Sequence, residues 1–378
     1  MDFELTETQR LVQQTARDYA QKTIAPQASA IDREERFPRE ILRQLADLGL
    51  MGVNVPAALG GAEAGVVSYA LAMIEVARAC ASTAVTMAVT NMVGEVIAKF
   101  GTKAQAERYC PKLASGEYAA GAFALSEPGA GSDPGSMRTT AKKVGDRWVI
   151  DGQKMWITSG AHAGVFVVWA RTGGAGTAGI SCFLVEGGTP GLVVGKHEDK
   201  MGLRGSNTVS LSFESCEVPE SALLGELGGG FKIAMMALDG GRIGISAQAI
   251  GIASAALDAS IAYAKDRKQF DKPIADFQAI QWMIADSKTE LDAARMLCLR
   301  AATLKEKGVG FSREASMSKV FSTERAVEIC NRAVQIHGGY GYTREYAVER
   351  HLRDVRVTTI YEGTSQVQKV VIARSVLR

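Results

Sequence analysis

The sequence lacks the spacing that builds metal sites and disulfide frameworks. Six cysteines (80, 110, 182, 216, 298 and 330) are scattered over 378 residues with no C-x-x-C pair, and none of the four histidines has a partner three or four positions away. This excludes zinc-finger and disulfide-stapled scaffolds, and reads as reduced thiols in a cytosol-like compartment with no metal site. Charge of one sign is also missing. With 43 Lys plus Arg against 41 Asp plus Glu, the formal net charge is +2 and no basic block appears, so recognition of nucleic acid by phosphate neutralisation is excluded. No uninterrupted apolar run reaches 18 residues, and the chain starts with the acidic Met1-Asp2-Phe3-Glu4. The expectation is a protein with no membrane span, signal peptide or transit peptide.

Proline is scarce at nine, but glycine is abundant at 40 and unevenly placed: eight in residues 1–120, twenty-three in 121–240 and nine in 241–378. The flanks are therefore helix-compatible and the middle is rich in turns. Thr6-Glu7-Thr8-Gln9 is a capping-box pattern opening a helix with Leu11, Val12, Ala16 and Tyr19 on one face. Pro38 suits the first turn of a helix ending near Gly49. Apolar helices follow at 66–81 and 86–100, then a shorter one from Lys103 to about Leu113. Residues 143–150 read as strand, turn, strand, and 165–171, 180–185, 192–194 and 209–213 as further short strands. Helical pattern resumes over 230–266, 275–307, 312–337 and 363–376. The fold class is α+β: an N-terminal helical domain (1–118), a central β-sandwich or barrel (119–228) and a C-terminal helical bundle (229–378).

Four strings carry chemical interest, and each has a plain structural alternative. Ser126-Glu127-Pro128-Gly129-Ala130-Gly131-Ser132-Asp133 exposes backbone N–H groups able to hold an anionic or electron-rich ring, or is a turn between helix and strand. In Lys154-Met155-Trp156-Ile157-Thr158-Ser159-Gly160, alternation puts the Trp156 ring and Thr158 hydroxyl on one face, as a wall for a planar cofactor or as sandwich core. Gln335-Ile336-His337-Gly338-Gly339 ends a helix with more glycine than a C-cap needs. In Tyr361-Glu362-Gly363-Thr364-Ser365-Gln366, a hydroxyl caps the last helix, and Glu362 is either a reactive carboxylate or an acid favoured by the helix dipole.

Taken in order, and together with Met201-Gly202-Leu203-Arg204-Gly205-Ser206 and Arg267-Lys268-Gln269-Phe270, these strings resemble the acyl-CoA dehydrogenase family of flavoenzymes, of short-chain or short-branched-chain type. The resemblance spans essentially the whole chain. It implies FAD between the β domain and the C-terminal bundle of a homotetramer built as a dimer of dimers. Phe123, Ala124, Leu125, Ser126, Glu127, Gly129, Gly131 and Ser132 would line the flavin. Trp156, Ile157 and Thr158 would hold its other face. Arg267 and Gln278 would reach the pyrophosphate side from a neighbouring subunit, with Gln335, Ile336, His337, Gly338 and Gly339 by the adenosine half. Thr364, Ser365 and Gln366 would complete the cofactor site, where N–H groups at a helix start meet phosphate. Ser132, Asp239, Gly240, Gly241, Arg242 and Gly363 would contact the acyl-CoA.

The implied reaction is α,β-dehydrogenation of an acyl-CoA thioester to the trans-2-enoyl-CoA. Glu362 would take the α-proton and flavin N5 the β-hydride, with electrons passing to electron-transfer flavoprotein. Burial against apolar neighbours would raise the affinity of Glu362 for a proton. Gly241 stands where the isovaleryl and long-chain branches carry their base, leaving Glu362 alone. No basic residue lies between Arg78 and Lys99, where the glutaryl branch places an arginine. Asp271 and Ser210 replace the family's glycine and glutamate. The helix of Thr86–Phe100, with Met87, Met92, Val93 and Val96, is expected in the acyl pocket. A flavin oxidase or monooxygenase, a dehydrogenase of carrier-protein thioesters, and a non-catalytic assembly protein remain alternative readings. The expected location is the cytoplasm of a bacterium or, for a mature eukaryotic chain, the mitochondrial matrix.

Overall fold

In a computed structural model of the chain, which describes residues 4–377, Thr6 opens α1 (Glu7–Tyr19) through a capping box. The Gln9 N–H donates to Thr6 Oγ1 at 3.2 Å, and the Thr6 N–H donates to Gln9 Oε1 at 3.0 Å. Of the expected face, Ala16 is buried and Val12 and Tyr19 pack against the core, but Leu11 is 66% exposed. Gln13 turns inward as well, its Nε2 donating to the buried Glu75 at 3.0 Å. The N-terminal set continues with α2 (Ala28–Glu34), α3 (Arg39–Asp47), α4 (Val66–Ala79), α5 (Ala81–Phe100) and α6 (Lys103–Ala114). Pro38 is the residue before α3 and not within its first turn. α5 begins five residues earlier than expected, directly after the extended Cys80 that separates it from α4. Thr102 caps α6 with a second capping box.

After Ala114 the chain changes to strands: β1 (Ala120–Ala124), β2 (Thr140–Val144), β3 (Arg147–Thr158), β4 (Ala163–Arg171), β5 (Ile180–Glu186), β6 (Leu192–His197), β7 (Thr208–Pro219) and β8 (Leu223–Leu224). They form one sheet in the order β6-β7-β3-β2-β4-β5-β8, with β1 parallel to β4. β4 is buried on both faces. Val165, Val167 and Trp169 pack with residues of α5, α6 and the helix after the sheet. Phe166, Val168 and Ala170 pack with Ile150, Phe183, Leu211 and Phe213. One face of β4 and β5 thus meets the helices, while the other shares an interior with β3 and β7.

The C-terminal part comprises α7 (Gly230–Asp266), a hairpin of β9 (Lys268–Gln269) and β10 (Lys272–Pro273), α8 (Gln278–Glu306), α9 (Ser312–His337), α10 (Val348–Val355) and α11 (Ser365–Val376). α5 and α7 are each long and apolar enough to cross a bilayer, but most of their apolar surface is buried inside the protein. Small residues such as Ala247, Gly251 and Ala253 let α7 approach its neighbours closely. A Cβ on Gly251 would stand 2.3 Å from the Ile74 carbonyl of α4. α7 is the shared wall between the N-terminal helices, the sheet and α9, and the candidate site lies along it.

Candidate active site

Between α10 and α11 the chain passes through a 3-10 turn (Arg356–Thr359) and then two consecutive left-handed residues, Glu362 (φ 54°) and Gly363 (φ 85°). A left-handed glutamate is strained unless its surroundings hold it. Here several groups do. Gln368 Nε2 donates to the Glu362 carbonyl at 3.1 Å and to the Gly363 carbonyl at 3.0 Å. Lys319 Nζ, from α9, donates to the Gly363 carbonyl at 2.7 Å. The Tyr361 hydroxyl bonds Gln248 of α7, and Thr364 caps α11 by accepting the Val367 N–H at 3.2 Å.

This turn sends the Glu362 side chain against α7. A Cβ on Gly241 would stand 2.6 Å from Glu362 Oε2, so any larger residue would displace the carboxylate. Oε2 is buried without a hydrogen-bond partner. Burial pushes the Glu362 carboxyl up to about 7, against the opposing pull of Arg242 and then Lys319. A carboxylate that is poorly solvated, and poised near neutral pH, is suited to take a proton from carbon.

Beside it lies a cavity of about 710 Å³, lined in part by Tyr69, Met92, Val96, Met236, Asp239 and Gly241. Of the four α5 residues expected in the pocket, Met92 and Val96 line it. Met87 and Val93 do not: Met87 is buried with α4 residues, and Val93 packs against Gly121. Asp239, Gly240 and Gly241 line the cavity, but Arg242 does not. Arg242 is buried, pairs with Asp239, and donates to Ser316 Oγ of α9 at 3.1 Å. The guanidinium is therefore held behind the cavity wall, with its Nε unpartnered. Asp239 also accepts from Ser312 at 3.0 Å, and burial raises its pKa against the pull of Arg242.

The residues expected around a flavin form a second surface. Gly129 and Gly131 are exposed, and a Cβ on either would meet nothing within 4 Å. Trp156 is 60% exposed with φ 64°. A bulge between Lys154 and Ile157 breaks strict alternation and turns Trp156 outward, so it is not sandwich core. Thr158 is half-buried and Ile157 fully buried. The loop is tied to the strand by the Met155 N–H donating to the Ser126 carbonyl at 2.9 Å. It is also tied by Lys154, fully buried, whose Nζ donates to Glu127 Oε1 at 2.9 Å and to the Leu125 carbonyl at 3.2 Å. Glu127 further accepts the N–H groups of Arg138 (2.6 Å) and Thr139 (3.0 Å). Its carboxylate is thus committed to the fold, and its backbone N–H and carbonyl both pair with Ala130 at 3.1 Å. Ala124 and Leu125 are likewise buried in the protein core, while Phe123 is half-buried against Trp169 and Ser132 is exposed. An open glycine loop beside an exposed indole fits one face of a planar ring system such as FAD.

A further cavity of about 450 Å³ is lined by Tyr263, Arg267, Ile336, His337, Gly338, Gly339 and Tyr340, among others. It brings Arg267 together with the glycine string, and the Arg267 guanidinium lies over the Tyr340 ring. None of residues 126–132 or 156–158 lines it. A Cβ on Gly338 or Gly339 would meet nothing within 4 Å. His337 stacks on Tyr263 and its Nδ1 lies 2.8 Å from the Ala333 carbonyl, the contacts of a packed helix terminus. Gln278, Gln335 and Gln366 are exposed and do not line either cavity. Ser365, at the start of α11, is buried with an unpartnered hydroxyl, a donor available to an anionic group at the helix start.

Sequence reasoning missed Lys319, Gln368 and Tyr69, and it missed the Lys154–Glu127 pair. Each is a polar side chain on an otherwise buried face, and only the packing reveals the partners of the first two and of the pair, and the place of Tyr69 in the cavity wall.

Comparisons with known proteins agree with this arrangement. Models of the acyl-CoA dehydrogenase N-terminal, middle and C-terminal domains match residues 6–117, 122–216 and 228–377. The short-chain specific acyl-CoA dehydrogenase of mitochondria from Bos taurus is 48% identical over 378 residues, covering 99% of this chain and 91% of that protein. The solved butyryl-CoA dehydrogenase of Megasphaera elsdenii superposes with a TM-score of 0.98 at 42% identity, covering both chains completely. A chain solved with the electron transferring flavoprotein of Acidaminococcus fermentans as its subject superposes equally well, at 0.98 and 44% identity, again over the whole of both chains. With a helix–sheet–helix order matched along nearly its full length, and a carboxylate set against a glycine of the central helix, the chain belongs to the acyl-CoA dehydrogenase family.

Proposed function

We propose that the protein oxidises a short acyl-CoA thioester to its trans-2-enoyl-CoA, with Glu362 as the base and electron-transfer flavoprotein as the electron acceptor. The observation that carries this reading is the Glu362 carboxylate, its Oε2 buried and unpartnered and set against Gly241, a residue that also lines the largely apolar 710 Å³ cavity. FAD, when bound, supplies the acceptor for the β-hydrogen. The residues that would hold it are the 126–132 loop, Trp156 to Thr158 and Ser365. In the same reading Arg267 and Gly338–Gly339 serve the cofactor of a neighbouring subunit, because they line a different cavity from the first set. A site shared in this way needs a dimer, and the proposed assembly is a homotetramer built from two of them. Six free, buried thiols fit a reducing compartment, the cytoplasm or the mitochondrial matrix.

The work left to the chain is to bind, orient and deprotonate. The cavity walls of Met92, Val96 and Met236 take apolar acyl surface, with methionine adapting to its shape. The held turn at 362–363 fixes the carboxylate, and exclusion of water keeps it basic. The test is anaerobic mixing with a panel of acyl-CoAs of graded length and branching, following flavin bleaching. Rapid bleaching by short chains is expected, with loss of at least ~1000-fold in Glu362→Gln at unchanged flavin content. Bleaching of Glu362→Gln at the wild-type rate would overturn the assignment of the base. Rapid peroxide formation on admitting air would favour an oxidase.

A further inference from the structure

A lysine buried in an apolar interior is costly unless its ammonium group is paired and hydrogen-bonded. Lys319, in the middle of α9, is 0% exposed, and its Nζ bonds a carbonyl, that of Gly363, at 2.7 Å. Its buried helical neighbours are small: Ala315, Ser316, Ser318, Ser322 and Thr323. Burial pulls the amine down to about 7, with Glu362 opposing that shift and Arg242 adding to it. The charged or titratable groups facing Glu362 come from every element packed on it. They are Arg242 of α7, Lys319 of α9, the Tyr69 phenol of α4 and Tyr361 of its own loop. Of the two cations, Arg242 is already paired with Asp239. The charge of Lys319 has no carboxylate hydrogen-bonded to it, and it is directed at the turn that carries Glu362.

We propose that Lys319 is a positioning residue for proton abstraction: its Nζ holds the Gly363 carbonyl, and so the left-handed turn that carries Glu362, and sets a cation beside that turn. The inference rests on the reading of Glu362 as the base. The reactive form is the carboxylate. Removing a nearby positive charge raises the affinity of Glu362 for its proton, so the acid limb of the rate profile moves to higher pH. For a close charge the displacement is about 1–3 pH units. Below the limb this is a loss of ~10-fold or more, recovered in alkali.

The test is the pH dependence of anaerobic flavin bleaching by acyl-CoA in the holoenzymes of Lys319→Met, Lys319→Gln and Lys319→Arg. Flavin absorbance and circular dichroism are recorded alongside. Met and Gln should both displace the acid limb upward. Gln, which keeps a donor for the Gly363 carbonyl, should retain more of the alkaline plateau than Met. Arg keeps the charge and should keep the wild-type limb. If the limb of the flavin-loaded neutral variants stays at the wild-type pH, the proposal is wrong. If those variants do not load flavin, Lys319→Arg decides: an unchanged limb supports the proposal and a displaced one overturns it. Glu362→Gln separates the two levels. A wild-type rate in that variant removes the base itself, whereas an inactive Glu362→Gln with an unmoved limb in Lys319→Met removes only the role of Lys319.

Discussion

Replacing Glu362 by Gln should make the ligand-free holoenzyme more stable at alkaline pH while abolishing catalysis. The carboxyl moves from an ordinary value of 4.5 to about 7 in the folded protein, chiefly through burial. A pKa raised on folding means that the folded state prefers the neutral acid. Relative to Gln, the glutamate therefore costs nothing below pH 4.5, the cost grows as pH rises through about 7, and it is constant above that. At 1.36 kcal/mol per unit, this shift corresponds to about 3 kcal/mol. Lost hydrogen-bond geometry in the amide reduces the gain, so about 1–3 kcal/mol is expected at pH 8.5. For a protein of this size that is on the order of a few degrees in Tm. The assay is thermal unfolding of both holoenzymes from pH 5 to 8.5, followed by flavin fluorescence on release and by calorimetry at matched protein concentration. The difference should be near zero at pH 5 and favour Gln increasingly above pH 7. A pH-independent difference, or a Glu362→Gln variant less stable at pH 8.5, would refute the claim that burial of this carboxylate outweighs the pull of Arg242 and Lys319.

Two other substitutions probe its supports. Gly241→Ala places a methyl group 2.6 Å from the present position of Glu362 Oε2. The bleaching rate should fall ~10-fold or more through the displaced base, and urea unfolding should show no loss of stability beyond about 1 kcal/mol, because alanine favours the helix. A loss of flavin together with the rate would instead locate the damage in the fold. Lys154→Met leaves the Glu127 carboxylate buried without its cation and should destabilise the holoenzyme by about 3 kcal/mol or more, whereas Lys154→Met combined with Glu127→Gln should recover part of it. Urea midpoints of the two single variants and the double variant measure that coupling.

What the sequence made legible follows its local periodicity. α7 and α9 were read at the residues where they begin and end, because each is a continuous small-and-apolar pattern with a clear stop: extended Arg267 after α7, and left-handed Gly338 after α9. β1 was not read, because Ala120-Gly121-Ala122-Phe123-Ala124 has little strand propensity of its own and is held as a strand by parallel pairing with β4. α10 was not read either. Its buried face of Val348, His351, Asp354 and Val355 includes a histidine and an aspartate, and Asp354 is inward because it accepts the Leu203 N–H at 2.6 Å. Alternation left Trp156 as either a cofactor wall or sandwich core, and the bulge between Lys154 and Ile157 turns it outward and excludes the second.

The same reasoning explains why the acid was legible and its support was not. Glu362 sits in a short string beside glycine and two hydroxyl residues, so its departure from the helical pattern is visible along the chain. Lys319 sits within a helix, where a lone lysine ordinarily marks the solvent face. Its burial follows from two distant facts. Gly241 leaves room on α7 for the carboxylate, and the left-handed pair at 362–363 turns a carbonyl toward α9. A buried amine is tolerable there because that carbonyl accepts its hydrogen bond at 2.7 Å. The base therefore depends on three separated positions at once: space from Gly241, backbone geometry from Gly363, and charge from Lys319. A change at any one of them should be felt as altered proton affinity at Glu362.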